Sequence, residues 1–116
     1  MNRTALLIAT AIGLALQLIM VVAGHFNGAI AGMFAIVGML ISLVAGVIYA
    51  RRAQDSLGDA VLGGGLAGGL CALIGIAVSV ALGDVAPTAL VVGTMGSAVA
   101  GLIGGAVSRA LPAPDL

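Results

Sequence analysis

The feature that most constrains this chain is the placement of its eight charged residues. These residues are Arg3, Arg51, Arg52, Asp55, Asp59, Asp84, Arg109 and Asp115. The charge-free runs between them cover 4–50, 60–83 and 85–108, or 47, 24 and 24 residues. Whereas a soluble domain carries about 25% charged residues, this chain carries 7%. The sequence therefore predicts an integral membrane protein.

The lengths of these runs predict four membrane-spanning helices in one all-α domain that occupies residues 1–116. One crossing of the hydrocarbon core takes about 20 apolar residues, so each shorter run fits one helix and the longest run needs two. The break falls at the polar cluster of residues 25–28, which favours turns and caps. The helices are expected at about 5–24, 28–50, 60–83 and 87–108, with a loop at 51–59 and a tail at 109–116.

Residues at the helix ends support these boundaries. Asn27 is expected to cap the second helix, and Ser56–Asp59 is expected to form a capping box at the start of the third. Pro87 fits the first turn of the fourth helix. Pro112 and Pro114 prevent that helix from continuing.

The arginines predict the orientation of the chain. With four crossings, the N-terminus, the 51–59 loop and the C-terminus share one side of the membrane, and all four arginines lie there. The positive-inside rule makes this side cytoplasmic, so we expect a multi-pass protein of the bacterial cytoplasmic (inner) membrane. The apolar stretch after Arg3 is longer than the roughly 7–15 residues of a signal peptide. We therefore expect it to remain as a helix, whereas its cleavage would leave three spans.

Glycine is the second informative feature, with 19 residues in the chain. In a helix interior glycine is unfavourable by about 1 kcal/mol relative to alanine, so its frequency needs a structural reason. Small residues recur at every fourth position in the third and fourth helices, and such rows let helices approach closely in lipid. The residues expected to pack in this way are Gly63, Ala67, Cys71, Gly75, Ser79, Gly64, Gly68, Gly93, Ser97, Gly101 and Gly105.

This small-xxx-small pattern, a glycine zipper, predicts that the third and fourth helices cross tightly. The small-residue surfaces of the third and fourth helices are larger than one contact between two helices buries. The surplus is expected to meet the first or second helix, a second copy of the chain, or another membrane protein. Cys71 is interpreted as a member of the packing row and not as a reactive thiol. The alternative is that the glycines reflect only the general tolerance of membrane helices for glycine.

A few polar residues are candidates for a binding site. Gln17, Ser42, Thr94 and Ser97 lie inside the predicted helices, where they either hydrogen bond between helices or line the path of a solute. His25 and Asp84 are expected in the two turns opposite the arginines, where they are able to pair.

Residue types argue against catalysis and nucleic-acid binding. The chain has one histidine, no glutamate and no lysine, and it lacks the spacing of a nucleophile–base pair or a metal site. We therefore expect no enzyme, no cofactor and no bound metal. A net charge of zero also argues against a nucleic-acid partner.

Two functions remain open. The first is a non-catalytic protein that acts by helix packing in the lipid bilayer, as a homo-oligomer or as a subunit of a larger membrane complex. The second is a small channel or carrier for an uncharged or weakly charged small molecule.

Overall fold

A computed structural model describes residues 1–54 and 56–111, and this part of the chain is helical without β-strands. The helices are α1 (Arg3–Phe26), α2 (Gly28–Ala31), α3 (Phe34–Ala53), α4 (Leu57–Ala81) and α5 (Ala89–Ala110). All except α2 are long and apolar enough to cross a membrane. The prediction of an all-α multi-pass membrane protein with four spans is confirmed. Asp55 and residues 112–116 of the predicted tail, with Pro112 and Pro114, lie outside the described residues.

The four long helices form one bundle. Its longest dimension is 40 Å, which exceeds the roughly 30 Å of the hydrocarbon core. Helices α3 and α4 each contact all the other long helices, whereas α1 and α5 occupy opposite corners. The most extensive contact joins α4 to α5. Because the chain crosses back and forth, α3 and α5 run in the same direction.

The bundle has two chemically different ends. One end, here called the arginine end, carries Arg3 at the start of α1, Arg51 and Arg52 in the last turn of α3, and Arg109 in the last turn of α5. The other end, here called the histidine end, carries His25 in the last turn of α1. Large apolar side chains cover the outside of the bundle between the two ends, as expected for a surface in contact with lipid.

The second span starts later than the sequence predicts. Helix α3 begins at Phe34 because residues 28–31 form a separate helical turn, α2, followed by a non-helical turn. Asn27 caps this turn, since its Oδ1 accepts hydrogen bonds from the backbone N–H groups of Ala29 at 3.0 Å and Ile30 at 3.4 Å. The polar cluster thus organises a longer connection than the sequence suggests.

The other helix ends shift by a few residues. Ser56 Oγ accepts a hydrogen bond from the Asp59 N–H at 3.3 Å and caps α4. Helix α4 ends at Ala81, and Gly83 then adopts a φ of +78°, a left-handed conformation that favours glycine. Pro87 lies in the turn before α5 and not in its first helical turn, and its carbonyl accepts from the Leu90 N–H at 3.0 Å.

The two small-residue rows on α4 face different neighbours. Along the row that contains Gly63 and Gly75, a Cβ atom at Gly63 would overlap the buried ring of Tyr49 on α3, and one at Gly75 would lie 2.9 Å from Gln17 Cβ on α1. Ala67 and Cys71 of the same row are buried. This row therefore meets α1 and α3 of the same chain.

The second row brings three backbones into contact. A Cβ at Gly101 would overlap the carbonyl oxygen of Gly64, and one at Gly46 would overlap that of Gly101. Gly68 lies against Gly101, since a Cβ there would be 3.0 Å from the Gly101 Cα. A Cβ at Gly105 would likewise overlap the backbone of α4. We call Gly46, Gly64, Gly101 and Gly105 the glycine seam. It closes the half of the bundle nearer the arginine end.

Candidate functional site

Toward the histidine end the bundle contains a partly open cavity of about 520 Å³. It lies among all four long helices, because Gln17 of α1, Gly38 of α3, Gly75 of α4 and Gly93 of α5 all line it. Helices α3 and α5 touch at the glycine seam but flank open space at this level. Ligand sites typically measure about 300–1,000 Å³, so the cavity has the size of a small-molecule site.

The cavity is mostly apolar, with a small number of polar groups. Its walls include Val21, Phe34, Met39, Ile76 and Val92. The polar side chains in the lining are Gln17, Ser79 and Ser97, and none of the lining residues that the structure describes is ionisable. This combination of an apolar wall with a few neutral polar groups is typical of sites for uncharged ligands.

Gln17 is the central polar residue of the site and is only 2% exposed. Its Nε2 donates hydrogen bonds to the carbonyl oxygen of Gly38 at 3.2 Å and to Ser42 Oγ at 3.4 Å. Because a carbonyl oxygen only accepts, the bond to Gly38 requires the NH₂ group to face α3 and settles the orientation of the amide.

The Gln17 carbonyl oxygen is directed elsewhere. Oε1 lies 3.6 Å from the positions that Cβ atoms would take at Gly38 and Gly75, and both of these glycines line the cavity. It accepts no hydrogen bond from the part of the chain that the structure describes. Gln17 therefore presents an unused acceptor beside the cavity.

A hydrogen-bonded cluster holds Gln17 in place. Ser42 Oγ accepts from Gln17 and donates to the Gly68 carbonyl oxygen at 3.0 Å. Cys71 Sγ lies 3.9 Å from Ser42 Oγ and donates to the same Gly68 carbonyl at 3.3 Å. Ser42 and Cys71 are fully buried. Ser42 thus supports the Gln17 side chain and does not itself line the cavity.

Three hydroxyl-bearing residues occupy different positions around the site. Ser79 is 2% exposed and lines the cavity, and its Oγ is buried without a hydrogen-bond partner. Ser97 is also buried in the lining. Thr94 Oγ1 is buried without a partner but lies outside the lining. Leaving such a group unpaired costs about 1–3 kcal/mol, so Ser79 is a second polar group that would gain from a hydrogen-bond partner.

The polar groups are spaced along the depth of the cavity. Gln17 lies level with Gly75, and Ser79 follows Gly75 by four residues, about 6 Å nearer the histidine end. Ser97 lies deeper, because its carbonyl oxygen would be 3.0 Å from a Cβ at Gly68. A molecule that enters from the histidine end would therefore meet Ser79 first, then Gln17, then Ser97.

His25 and Asp84, both at the histidine end, are in contact. His25 Nδ1 lies 2.9 Å from Asp84 Oδ2, and the side chains are 36% and 20% exposed. The contact joins the end of α1 to the loop between α4 and α5. Val21, one turn before His25, and Val85, next to Asp84, both line the cavity. The pair therefore connects two segments that flank the cavity.

Sequence reasoning identified Gln17 and Ser97 but not the cavity or the position of Ser79 in it. The lining glycines Gly38, Gly75 and Gly93 share the pattern of the packing rows, so composition does not distinguish a contact from a cavity wall.

Among the described residues, no three His, Cys, Asp or Glu side chains lie close enough to hold a metal ion. Comparisons with protein-family models, curated proteins and solved structures found no match to this chain.

Proposed function

We propose that this protein is a small, non-catalytic membrane carrier or channel that binds an uncharged, largely apolar solute in the cavity. The observation that carries the proposal is the unused acceptor of Gln17 beside a cavity of about 520 Å³. A charged solute would meet no opposite charge among the lining residues, and burial of an unpaired charge is strongly unfavourable.

The packing alternative has less support. Homo-oligomerisation or docking to another membrane protein through the glycine rows requires small surfaces that remain open. Gly63 faces Tyr49, Gly75 faces Gln17, and Gly64 faces Gly101 within the same chain. The small faces therefore already have partners, and the proposal assigns them to closing the bundle.

Orientation is part of the proposal. We place the arginine end in the cytoplasm of a bacterial cell, in accordance with the positive-inside rule, with both chain ends on that side of the inner membrane. The cavity then lies in the outer half of the membrane. The glycine seam separates it from the cytoplasm, so solute would enter from the outer side or from the outer leaflet.

The test obstructs the cavity at its rim, where Ala35 is an exposed residue of the lining. Ala35 lines the cavity, whereas its neighbour Ile36 is 67% exposed on the outside. We expect Ala35→Phe to occupy the site and Ile36→Phe to leave it open. Uncharged compounds are screened by ligand-dependent stabilisation of the purified protein, and the compounds that bind are tested for uptake into liposomes.

The expected result is saturable stabilisation of the wild type and of Ile36→Phe by the same compounds, and none for Ala35→Phe. A ligand at 100 times its Kd stabilises a protein by about 2.7 kcal/mol, which is large enough to measure. If no compound stabilises the wild type and none crosses liposomes faster with protein present, the proposal is wrong.

A further inference from the structure

We propose that the ligand is a neutral alcohol with an apolar body, whose hydroxyl group donates a hydrogen bond to Gln17 Oε1 and accepts one from Ser79. This inference rests on the proposed solute-binding function and specifies the chemical class of the solute. It depends on two polar groups of one cavity for which the described chain supplies no hydrogen-bond partner, Gln17 Oε1 and the buried Ser79 hydroxyl.

The hydrogen-bonding capacity of Gln17 defines what the ligand must carry. Its NH₂ group bonds to Gly38 and Ser42, which leaves Oε1, a pure acceptor, for the ligand. A ligand that only accepts hydrogen bonds, such as an ether or a ketone, is unable to bond to Oε1 and would leave this acceptor unpaired. The ligand must therefore carry a donor.

The hydroxyl group of Ser79 is buried and lacks a partner among the described residues. A serine hydroxyl is able to donate to an oxygen that itself donates elsewhere. Ser79 lies one turn, about 6 Å along α4, nearer the histidine end than the level of Gln17, and both residues line the same cavity. One hydroxyl oxygen between them would donate to Gln17 and accept from Ser79, so that both groups are satisfied.

Charged head groups are unsuited to this cavity. An ammonium group needs several acceptors and an opposite charge, and a carboxylate needs donors and a positive charge. The lining contains no ionisable residue, and both charged groups would lose their hydration there. A hydroxyl needs one acceptor and one donor, which is what Gln17 and Ser79 offer.

The rest of the ligand is apolar, because the remaining walls are. Val21, Ile76 and Val92 form rigid parts of the lining, while Met20 and Met39 are flexible side chains that adapt to different shapes. The lining of α5 runs from Ala89 to Ser97, about 12 Å along the helix. A chain alcohol of comparable length, such as decan-1-ol, is therefore a suitable probe.

The experiment compares decan-1-ol with 1-methoxydecane, which retains the oxygen but lacks the donor, and with decanoate, which is charged. Binding to the full chain in detergent micelles is titrated by native mass spectrometry. We expect the alcohol to bind the wild type at least tenfold more tightly than the ether, because the ether leaves a buried acceptor unpaired. Decanoate should not occupy the cavity.

Single-residue variants test which side chain binds the hydroxyl group of the alcohol. Ser79→Ala should weaken binding of the alcohol about three- to tenfold, as expected for one neutral hydrogen bond, and weaken binding of the ether by no more than this, because the ether oxygen is also able to accept from Ser79. Ser79 Oγ makes no bond in the described structure, so this variant should fold normally. Ser108→Ala is the matched control, since Ser108 is a buried serine outside the cavity. The ratio of variant to wild type for each probe cancels its partition into the micelle.

The outcomes separate the two proposals. Equal affinity for alcohol and ether, with both lost in Ala35→Phe, would overturn the alcohol assignment and leave the solute-binding function in place. An unchanged alcohol affinity in Ser79→Ala would also overturn the assignment. If a different uncharged compound binds and the alcohol does not, only the ligand class is wrong. If no uncharged compound binds, the proposed function itself fails.

Discussion

Gly101→Ala tests whether the glycine seam holds the bundle closed. The added Cβ would overlap the carbonyl oxygen of Gly64 and would lie 3.2 Å from the Gly65 Cα. Both atoms belong to the backbone, so no side chain is able to rotate away. Relief requires α4 and α5 to separate, which also loosens the contact of Gly46 with Gly101.

Two opposing effects determine the magnitude. Alanine favours the helix over glycine by about 1 kcal/mol, whereas overpacking a close contact costs about 1–3 kcal/mol. Because the obstruction at Gly101 is backbone on α4, we take the upper end of this cost. The free energy of unfolding should therefore fall by about 2 kcal/mol.

Gly38→Ala is the matched control on α3. A Cβ at Gly38 would lie 3.6 Å from Gln17 Oε1 and 3.7 Å from Met20 Cε, which is ordinary van der Waals contact. Only the helix-propensity effect then remains, and the variant should be as stable as the wild type or slightly more stable.

Unfolding is followed through Cys71, the single cysteine of the chain. Its side chain is 0% exposed at the centre of the bundle, so a thiol-reactive fluorophore reports loss of packing without any engineered label. Midpoints are compared for both variants in titrations with a denaturing detergent. If Gly101→Ala and Gly38→Ala unfold at the same point as the wild type, backbone contact at the seam does not determine stability.

Three further changes probe other parts of the molecule. Gln17→Leu removes both amide hydrogen bonds and should lower the free energy of unfolding by about 1–3 kcal/mol; a stability equal to that of the wild type would show that the cluster contributes nothing. Asp84→Asn weakens a partly exposed contact, so the loss should stay below about 1 kcal/mol and shrink at high salt. In a Cys71→Ser background, an impermeant maleimide should label Thr88→Cys in intact cells and Gln54→Cys only after lysis, and the reverse pattern would invert the proposed orientation.

The number of spans follows from the charges alone, because a charged residue is costly within the hydrocarbon core and eight of them mark where helices end. The start of α3 does not follow from them. The run 4–50 is free of charge throughout, so only the cluster at 25–28 indicates a break. That Phe34 places its ring where a Cβ of Gly24 would lie depends on side-chain packing, which periodicity does not describe.

The site was partly predictable for a similar reason. Gln17 is identifiable because an amide in an apolar helix needs a partner, and the structure provides Gly38 and Ser42. The cavity is a gap between side chains of several helices. A row of small residues predicts that helices approach closely at Gly64 and at Gly75 alike. At Gly64 the backbone of α5 fills the space, whereas part of the space beside Gly75 stays open.

The glycine seam also limits how this protein is able to diverge. Every amino acid other than glycine carries a Cβ, so at Gly46, Gly64 and Gly101 no single replacement is conservative in shape. On the outside of the bundle, apolar residues of any size are able to replace one another. Related sequences should therefore keep glycine at these seam positions even where their overall identity to this chain is low.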